Sequence, residues 1–213
     1  MPVWLNNYNY FKGDSYMARN ITPALKRCRS LGLEPALLGL SKKPSKRIVK
    51  ERRKMSEYSV QLREKQRAKF VYGVMEKQFK SYYEKAVKME GVSGDNLLIL
   101  LENRIDNVVF RLGFARTRNE ARQIVLHGHV LVNGKKVNIP SYQVKVGDVV
   151  EIKEASRSSK HFEDIFSYTE SRIIPEWLEG GKDSFKGTVV ARATREQIDV
   201  PINATLIVEL YSK

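Results

Sequence analysis

The sequence predicts an α+β protein in which a helical domain precedes a module of two helices and a small antiparallel sheet. Apolar residues recur at helical spacing over most of the chain before residue 113. A strand, a tight turn and a second strand follow near residue 133. The length of 213 residues and a hydrophobic content of 42% allow one large or two modest domains with real cores.

The chain begins with segments that do not read as core. Residues 1–16 hold one lysine, no arginine and no apolar stretch of signal-peptide length, so we interpret them as an extension or an upstream start. Residues 42–69 hold 12 Lys and Arg against three Glu, and Pro44 disfavours a helix there until Ser56. The helical stripe that follows contains Val71, Met75, Phe79, Tyr82 and Ala86. Aromatic side chains in this region could stack on bases, but helical spacing favours core packing.

The next predicted element is a single helix that ends at residue 112. Its apolar stripe consists of Leu97, Leu98, Leu101, Ile105, Val108, Val109 and Leu112. The same spacing places Arg104, Asn107 and Arg111 together on a polar flank, and Gly113 with Phe114 ends the helix.

A second short helix is predicted from its capping signal. Thr117, followed by Glu120 three residues later, forms a capping box that starts the helix at Arg118. The face predicted to be buried consists of Ala121, Ile124 and Val125. Arg118 and Arg122 lie four residues apart, so we expect them on the outer side, beside the free N–H groups of the first turn. Guanidinium groups and helix N-termini both favour phosphate oxygens.

A β-hairpin is predicted directly after this helix. Gly128 is placed to end the helix, and residues 130–137 read as strand, type I′ Asn-Gly turn and strand. This turn carries Lys135 and Lys136 outward. Residues 144–152, with a Gly147-Asp148 turn before Val149, predict further strand after the hairpin.

The last segment differs from the rest in charge. Residues 1–153 carry 30 Lys and Arg against 14 acids, whereas residues 154–213 carry 8 against 10. The polar run SRSSK suggests a linker after Glu154, and β-branched runs predict strands at 188–191 and 205–210. This asymmetry favours a basic body that binds a polyanion and a tail that packs on it or meets a protein.

Positive charge is concentrated in the central module. Seven Lys and Arg lie between Arg104 and Lys136, against only two acids. Each motif taken alone is as easily structural, since capped helices, Asn-Gly hairpins and charged helix faces are common. Their combination on one module is the electrostatic pattern of a nucleic-acid site.

These residues resemble a known family. The run GDNLLILLENRIDNVVFRLGFARTRNEARQIVLHGHVLVNGKKVNIPSYQVKVGDVVEI, from Gly94 to Ile152, is similar to the RNA-binding module named after ribosomal protein S4. The segment SEYSVQLREKQRAKFVYGVMEKQF and the ends PEWLEG and LIVELYSK extend the resemblance over residues 17–213, and the bacterial forms are the most similar. The domains expected from it are an extension (1–16), a basic arm with a helical domain (17–93), the S4-type module (94–153) and a C-terminal segment that folds back on both (154–213).

The resemblance implies a structural constituent of the small ribosomal subunit, located in the cytoplasm on the ribosome. Such a protein is a primary rRNA-binding protein that organises a junction in the 5′ domain of small-subunit rRNA during assembly and contributes to translational accuracy. The implied partners are this rRNA, ribosomal protein S5 and mRNA at its entry path. The resemblance implies neither binding to a membrane nor a homo-oligomer as the functional state. The expected RNA-binding residues are Arg104, Asn107, Arg111, Arg116, Arg118, Arg122, Lys135 and Lys136 in the module, with Lys46, Arg47, Arg52, Arg53 and Lys54 in the arm.

A metal site is the first alternative that the sequence raises. Some family members carry a four-cysteine metal knuckle near the N-terminus. Here only Cys28 matches a ligand position, and the partner position three residues earlier is Leu25. His127 and His129 lack further convergent ligands, so we interpret them as RNA contacts or hairpin support. We therefore expect neither zinc nor any other cofactor. A single cysteine also excludes an internal disulfide.

An RNA-modifying enzyme is the second alternative, because the same module is attached to some pseudouridine synthases. The run Arg104-Ile105-Asp106 resembles their catalytic Arg-Leu-Asp motif. However, Asp106 falls inside the predicted helix, between Ile105 and Val108, and no region large enough for a catalytic domain remains. We therefore expect no enzymatic activity. No segment of the sequence approaches the ~20 apolar residues that span a bilayer.

Overall fold

The α+β class is confirmed by a computed structural model that describes residues 23–41, 55–181 and 184–212. The helices are α1 (Ala24–Leu31), α2 (Glu57–Tyr72), α3 (Glu76–Val87), α4 (Ser93–Glu102), α5 (Ile105–Arg111), α6 (Arg118–Leu126), α7 (Glu154–Arg157), α8 (Lys160–Tyr168) and α9 (Ala204–Ser212), with a 3₁₀ turn at Pro35–Leu38. The strands are β1 (Val130–Val132), β2 (Lys135–Val137), β3 (Val149–Ile152), β4 (Leu178–Gly181) and β5 (Lys186–Val189). They form one antiparallel sheet in the order β2-β1-β3-β5-β4.

The helical domain forms where the sequence predicted it. The hydroxyl of Ser56 accepts a hydrogen bond from the backbone N–H of Ser59, which caps α2. Gly73 ends the helix in the left-handed conformation, with φ of 62°. Phe79 and Tyr82, predicted as core residues, are buried on α3.

The predicted single helix through residue 112 is wrong, because α4 ends at Glu102 and α5 begins at Ile105. The backbone between them pairs with a distant loop instead of continuing the helix. Val144 donates its N–H to the carbonyl of Asn103 at 2.9 Å, and Ile105 donates its N–H to the carbonyl of Tyr142 at 2.9 Å. These tertiary hydrogen bonds replace the two or three helical ones that the break removes.

The Thr117 cap, the second helix and the hairpin are confirmed. Thr117 accepts a hydrogen bond from the N–H of Glu120 and caps α6, while the Glu120 carboxylate accepts the N–H of Arg116 at 2.6 Å. Asn133 and Gly134 have φ of 50° and 74°, as a type I′ turn requires. The turn predicted before Val149 is confirmed, since Asp148 accepts the N–H of Lys145, and the strand that follows it is β3.

The C-terminal segment departs most from prediction. The expected linker contains α7 and α8, and the strand expected at 205–210 is the helix α9. Ala204, Ile207 and Tyr211 follow helical spacing along one side of α9, which packs on α2 and α4. Tyr211 stacks on Tyr83 with ring centroids 4.5 Å apart. Burial against these helices outweighs the β-propensity of the branched residues.

Two hydrophobic cores are connected by this segment. Ile198, Val200 and Ile202 are buried with the helical domain, whereas Trp177 and Val189 are buried with the module. The C-terminal segment therefore folds back on both, as the resemblance implied. Within the described ranges, no helix is long and apolar enough to cross a membrane.

Candidate nucleic-acid interface

The first half of the predicted site is a buried ionic cluster around Asp106, which we call the Asp106 cluster. Arg104 donates Nε and Nη2 to the two carboxylate oxygens at 3.0 and 2.7 Å. Arg122 donates Nε and Nη2 to Oδ2 at 3.0 and 2.8 Å. Arg104 also donates to the Tyr82 hydroxyl, and Arg122 to the carbonyl of Gly73. The cluster therefore holds the start of α5 against α3 and the loop after α2.

A second set of buried groups, the Glu102 network, surrounds the carboxylate of Glu102. Arg111 donates Nε and Nη2 to its two oxygens at 3.1 and 2.9 Å, and Tyr72 donates its hydroxyl at 2.7 Å. Asn107 donates Nδ2 to the same carboxylate at 2.6 Å. Arg111 reaches further and donates to Asp199 in the C-terminal segment at 2.6 Å. The network thus joins the helical domain, the module and the tail.

Arg118 completes this network from the first turn of α6. It donates Nε to Asn107 Oδ1 at 2.8 Å and Nη1 to the carbonyl of Leu37 at 2.8 Å. Its guanidinium lies 4.3 Å from the ring centroid of Phe110 and 5.3 Å from that of Tyr72. Stacking on two aromatic faces suits a planar guanidinium and adds cation–π attraction.

The electrostatics agree with a permanently ionised network. Burial alone would raise the pKa of the Glu102 carboxyl, but the charge and hydrogen bonds of Arg111, with Arg118 and Tyr72, lower that pKa to about 2. Burial and the nearby charge of Arg111 lower the pKa of Arg118 to about 10. Burial opposes the charged form of Arg111, but Glu102 and Asp199 favour it and raise the pKa of Arg111 above its ordinary value. All three groups therefore carry their charges at neutral pH.

The expectation of an outward-facing arginine surface on α6 is wrong. Arg118 is only 5% exposed, and its neighbour Arg122 keeps a fifth of its side chain accessible. The polar flank predicted for Arg104, Asn107 and Arg111 is divided between the two clusters and is buried, at 1, 1 and 8% exposure. Asn107 and Arg111 face Glu102, whereas Arg104 precedes α5 and faces Asp106, so the two acids neutralise the arginines within the protein.

The remaining predicted residues of the module do lie at the surface. Lys135 and Lys136 are exposed on β2, as the hairpin predicted. Lys136 runs across Gly128, where an added Cβ would lie 2.0 Å from its Cε and would push this side chain aside, while the φ of 72° favours glycine at this position. Arg116 keeps 40% of its side chain exposed while it pairs with Glu120 at 2.7 Å.

Three further predictions concern the surroundings of these cations. His127 is exposed, and His129 shares a hydrogen bond with Ser156 at 2.9 Å, which ties the hairpin to α7. Cys28 is buried, and within the described ranges no three His, Cys, Asp or Glu residues are grouped to hold a metal. The basic arm residues Lys46, Arg47, Arg52, Arg53 and Lys54 lie outside the described residues.

Several residues of these clusters escaped sequence reasoning. Tyr72, Glu102 and Asp199 were not singled out, although each carries a hydrogen bond of the Glu102 network. Arg172 was missed as well, and it donates to the carbonyls of Phe110 and Ala115 and to that of Arg116. The available signal was the choice of arginine over lysine throughout 104–122, since arginine is the residue that forms bidentate buried pairs.

Asp106 is unsuited to catalysis in this arrangement. Its carboxylate is 2% exposed and receives four guanidinium hydrogen bonds from Arg104 and Arg122. No substrate atom could approach it without displacing one of these arginines. The Arg-Ile-Asp run is therefore part of the packing between α3, α5 and α6.

The fold and this surface define a helical domain joined to an S4-type RNA-binding module. Family comparisons agree: residues 19–102 match the ribosomal protein S4/S9 N-terminal domain, and residues 103–150 match the S4 domain. The small ribosomal subunit protein uS4 of Lachnospira eligens is 61% identical over 197 residues, 92% of this chain and all of that relative. The uS4 proteins of Agathobacter rectalis (60%) and Lachnoclostridium phytofermentans (59%) match over the same shares of both chains.

The chain belongs to the ribosomal protein S4 family. The resemblance inferred from its sequence is thereby confirmed. It is a structural protein of that family and not an enzyme.

Proposed function

We propose that this chain is a structural constituent of the small ribosomal subunit that binds rRNA and organises a junction in its 5′ domain during assembly. Full-length similarity to proteins named small ribosomal subunit protein uS4 is the observation that carries the proposal. In this role the protein works on the ribosome in the cytoplasm. RNA helices that converge repel each other, and each lysine or arginine that displaces a counterion lowers that repulsion.

The exposed cations are the direct RNA contacts in this proposal. In the module these are Lys135 and Lys136 on the hairpin and the accessible part of Arg116. The arm residues that we propose as further contacts, from the sequence alone, are Lys46, Arg47, Arg52, Arg53 and Lys54. Such contacts read the shape and backbone of RNA more than the base edges of its deep major groove.

The buried members of the predicted set act differently, as positioning residues. Four arginines donate hydrogen bonds to acceptors within the protein: Arg104, Arg111, Arg118 and Arg122. Asn107 bridges Glu102 and Arg118. They fix α5, α6 and the hairpin relative to the helical domain. A rigid arrangement of separate cations lowers the entropic cost of binding a folded RNA.

A binding experiment tests this division of roles. Affinity for a 5′-domain rRNA fragment is measured between 50 and 200 mM salt for the natural chain, for Lys135→Ala/Lys136→Ala and for the charge-conserving Lys135→Arg/Lys136→Arg. If ~6 to 10 phosphates are neutralised, the natural chain loses about 10³ to 10⁵ in affinity over that range. The alanine variant reduces the log–log slope by ~1.4 to 1.8, whereas the arginine variant keeps it.

Two outcomes would contradict the proposal. Absence of specific binding to the 5′-domain fragment would remove the rRNA role. A salt response that is flat would remove the phosphate mechanism, even if the chain bound. Footprinting of the whole small-subunit rRNA with and without the protein identifies the junction itself.

Two further partners, one protein and one mRNA, belong to the same proposal. Contact with ribosomal protein S5, and through it an effect on translational accuracy, falls on the less basic C-terminal segment. Glu179→Lys and Glu196→Lys, both at exposed positions, should weaken that contact and spare rRNA affinity. A contact with mRNA at its entry path falls on the arm, and Arg52→Ala/Arg53→Ala should impair the unwinding of structured mRNA by intact ribosomes. Unchanged unwinding would exclude the arm from that path.

A further inference from the structure

The three histidines of this chain meet at one end of the module. His127 follows α6, His129 precedes β1, and His161 lies in the first turn of α8. The ring centroids of His127 and His129 are 6.1 Å apart. The ring centroid of Phe162 lies 6.0 Å from that of His129 and 5.9 Å from that of His161. Residues far apart in sequence therefore form one compact group.

Two lysines surround this group. Lys136 crosses Gly128, the residue between His127 and His129. Lys153 donates its backbone N–H to the carbonyl of His129 at 2.8 Å, and both lysine side chains are exposed. We call these five residues the histidine patch: His127, His129, His161, Lys136 and Lys153.

Two of the acids on neighbouring elements pair with other cations. Glu120 on α6 lies 3.8 Å from His161 Nε2 but binds Arg116 more closely, at 2.7 Å. Glu151 on β3 lies 3.7 Å from Arg157 and 3.4 Å from Lys186. The remaining charged groups on α7 and α8 are the exposed Glu154, Lys160, Glu163 and Asp164.

We propose that the histidine patch extends the phosphate-binding surface of the hairpin and that His129 takes up a proton when the RNA backbone binds. The inference rests on the proposed rRNA-binding function and deepens it. A protonated imidazole beside lysines can donate to phosphate oxygens. Affinity for RNA therefore rises as the pH falls.

The electrostatics of His129 support this mechanism. Burial, followed by the charges of His127, His161, Lys153 and Lys136, lowers the pKa of His129 in the free protein. A bound phosphate opposes that repulsion and raises the pKa in the complex. Because the complex then binds more protons than the free components, affinity increases toward acid by up to tenfold per pH unit for each proton taken up.

The test compares RNA affinity at pH 5.5 and pH 7.5 at one ionic strength, with the 5′-domain fragment as the probe. The natural chain should bind at least about tenfold more tightly at pH 5.5, with a salt slope steeper by about 1 to 2. His129→Gln should lose most of this ratio while it keeps salt-dependent binding at both pH values. Lys135→Gln is the matched control, because it removes a charge without titrating and should keep the ratio.

A change in folding between pH 5.5 and pH 7.5 is not expected to affect the comparison of RNA affinities. The carboxyl of Glu102 has a pKa of about 2, so the Glu102 network stays ionised at pH 5.5. Circular dichroism checks each variant at both values. Salt-dependent binding with no pH effect, or a pH effect that persists in the glutamine variant, would overturn this inference and leave the rRNA role intact. Absence of RNA binding at both pH values would overturn both.

Discussion

Removal of the charge at Glu102 is the sharpest test of the buried network. Glu102→Gln keeps the size of the side chain but leaves the guanidinium of Arg111 and that of Arg118 without the central carboxylate. Breaking a buried pair in this way typically costs ~3 to 5 kcal/mol. The pKa gives an independent value: a fall from 4.5 to about 2 in a fully buried carboxyl corresponds to about 3 kcal/mol of stability at neutral pH. We expect a loss of about 3 kcal/mol in the free energy of unfolding.

The sign of the pH dependence follows from the same shift. The folded pKa lies below the unfolded value of 4.5, so the stabilisation is complete above about pH 5 and disappears as pH falls toward about 2. The gap between the natural chain and the Glu102→Gln variant should close over that window. Denaturant unfolding at pH 7, 4.5 and 2.5 measures it, with Glu179→Gln on the exposed edge of β4 as the matched control. A loss below about 0.5 kcal/mol at pH 7, the range of ordinary surface substitutions, would refute the reasoning.

Three further variants separate packing from RNA contact. Arg118→Ala should lower the free energy of unfolding by about 3 kcal/mol, because two buried acceptors lose their donor, yet leave the salt slope of RNA binding unchanged; a reduced slope with normal stability would make this arginine an RNA contact. Asp106→Asn should lower the free energy of unfolding by about 3 kcal/mol, since two guanidinium groups lose their counter-charge. If the natural chain isomerised uridine and this variant did not, a structural role for Asp106 would be contradicted. Gly128→Ala should cost about 1 to 2 kcal/mol at a φ of 72° and weaken RNA binding by displacing Lys136; unfolding midpoints and affinity measure both, and an unaffected affinity would contradict the close approach.

The sequence was informative wherever a local signal sets the conformation. The Thr117 cap determines where α6 begins, and the Asn133-Gly134 pair determines the hairpin, because capping hydrogen bonds and positive φ are properties of a few adjacent residues. The break between α4 and α5 carries no such signal. Apolar spacing continues across it, and the hydrogen bonds that permit it come from residues 142 and 144, about 40 positions away.

The fate of the arginines depends on tertiary structure in the same way. Spacing correctly placed Asn107 and Arg111 on one flank of α5, but a flank is exposed or buried according to what packs against it. Here Tyr72 from α2 and Asp199 from the tail cover it. Neither residue could be assigned to this site from one sequence, since both lie tens of positions away. The strand expected at 205–210 failed for the same reason, as burial of α9 on two helices decided its conformation.

The burial of these arginines changes how the net charge of +14 acts on RNA. Of the seven cations between residues 104 and 136, four are held by internal acids or carbonyls, which leaves Arg116, Lys135 and Lys136 facing outward. Three groups account for a salt slope of at most ~2.7 on the duplex scale. A total slope of 6 or more therefore requires cations outside residues 104–136, and the arm holds the densest group of them in the sequence.

Replacing the five arm residues Lys46, Arg47, Arg52, Arg53 and Lys54 by alanine should lower the slope by up to ~4.5 while the unfolding free energy changes little. The matched control replaces five exposed acids or amides of the tail and should leave the slope unchanged. If the arm variant keeps the full slope, the phosphates must be neutralised elsewhere. The assignment of the arm as the main phosphate contact would then fail.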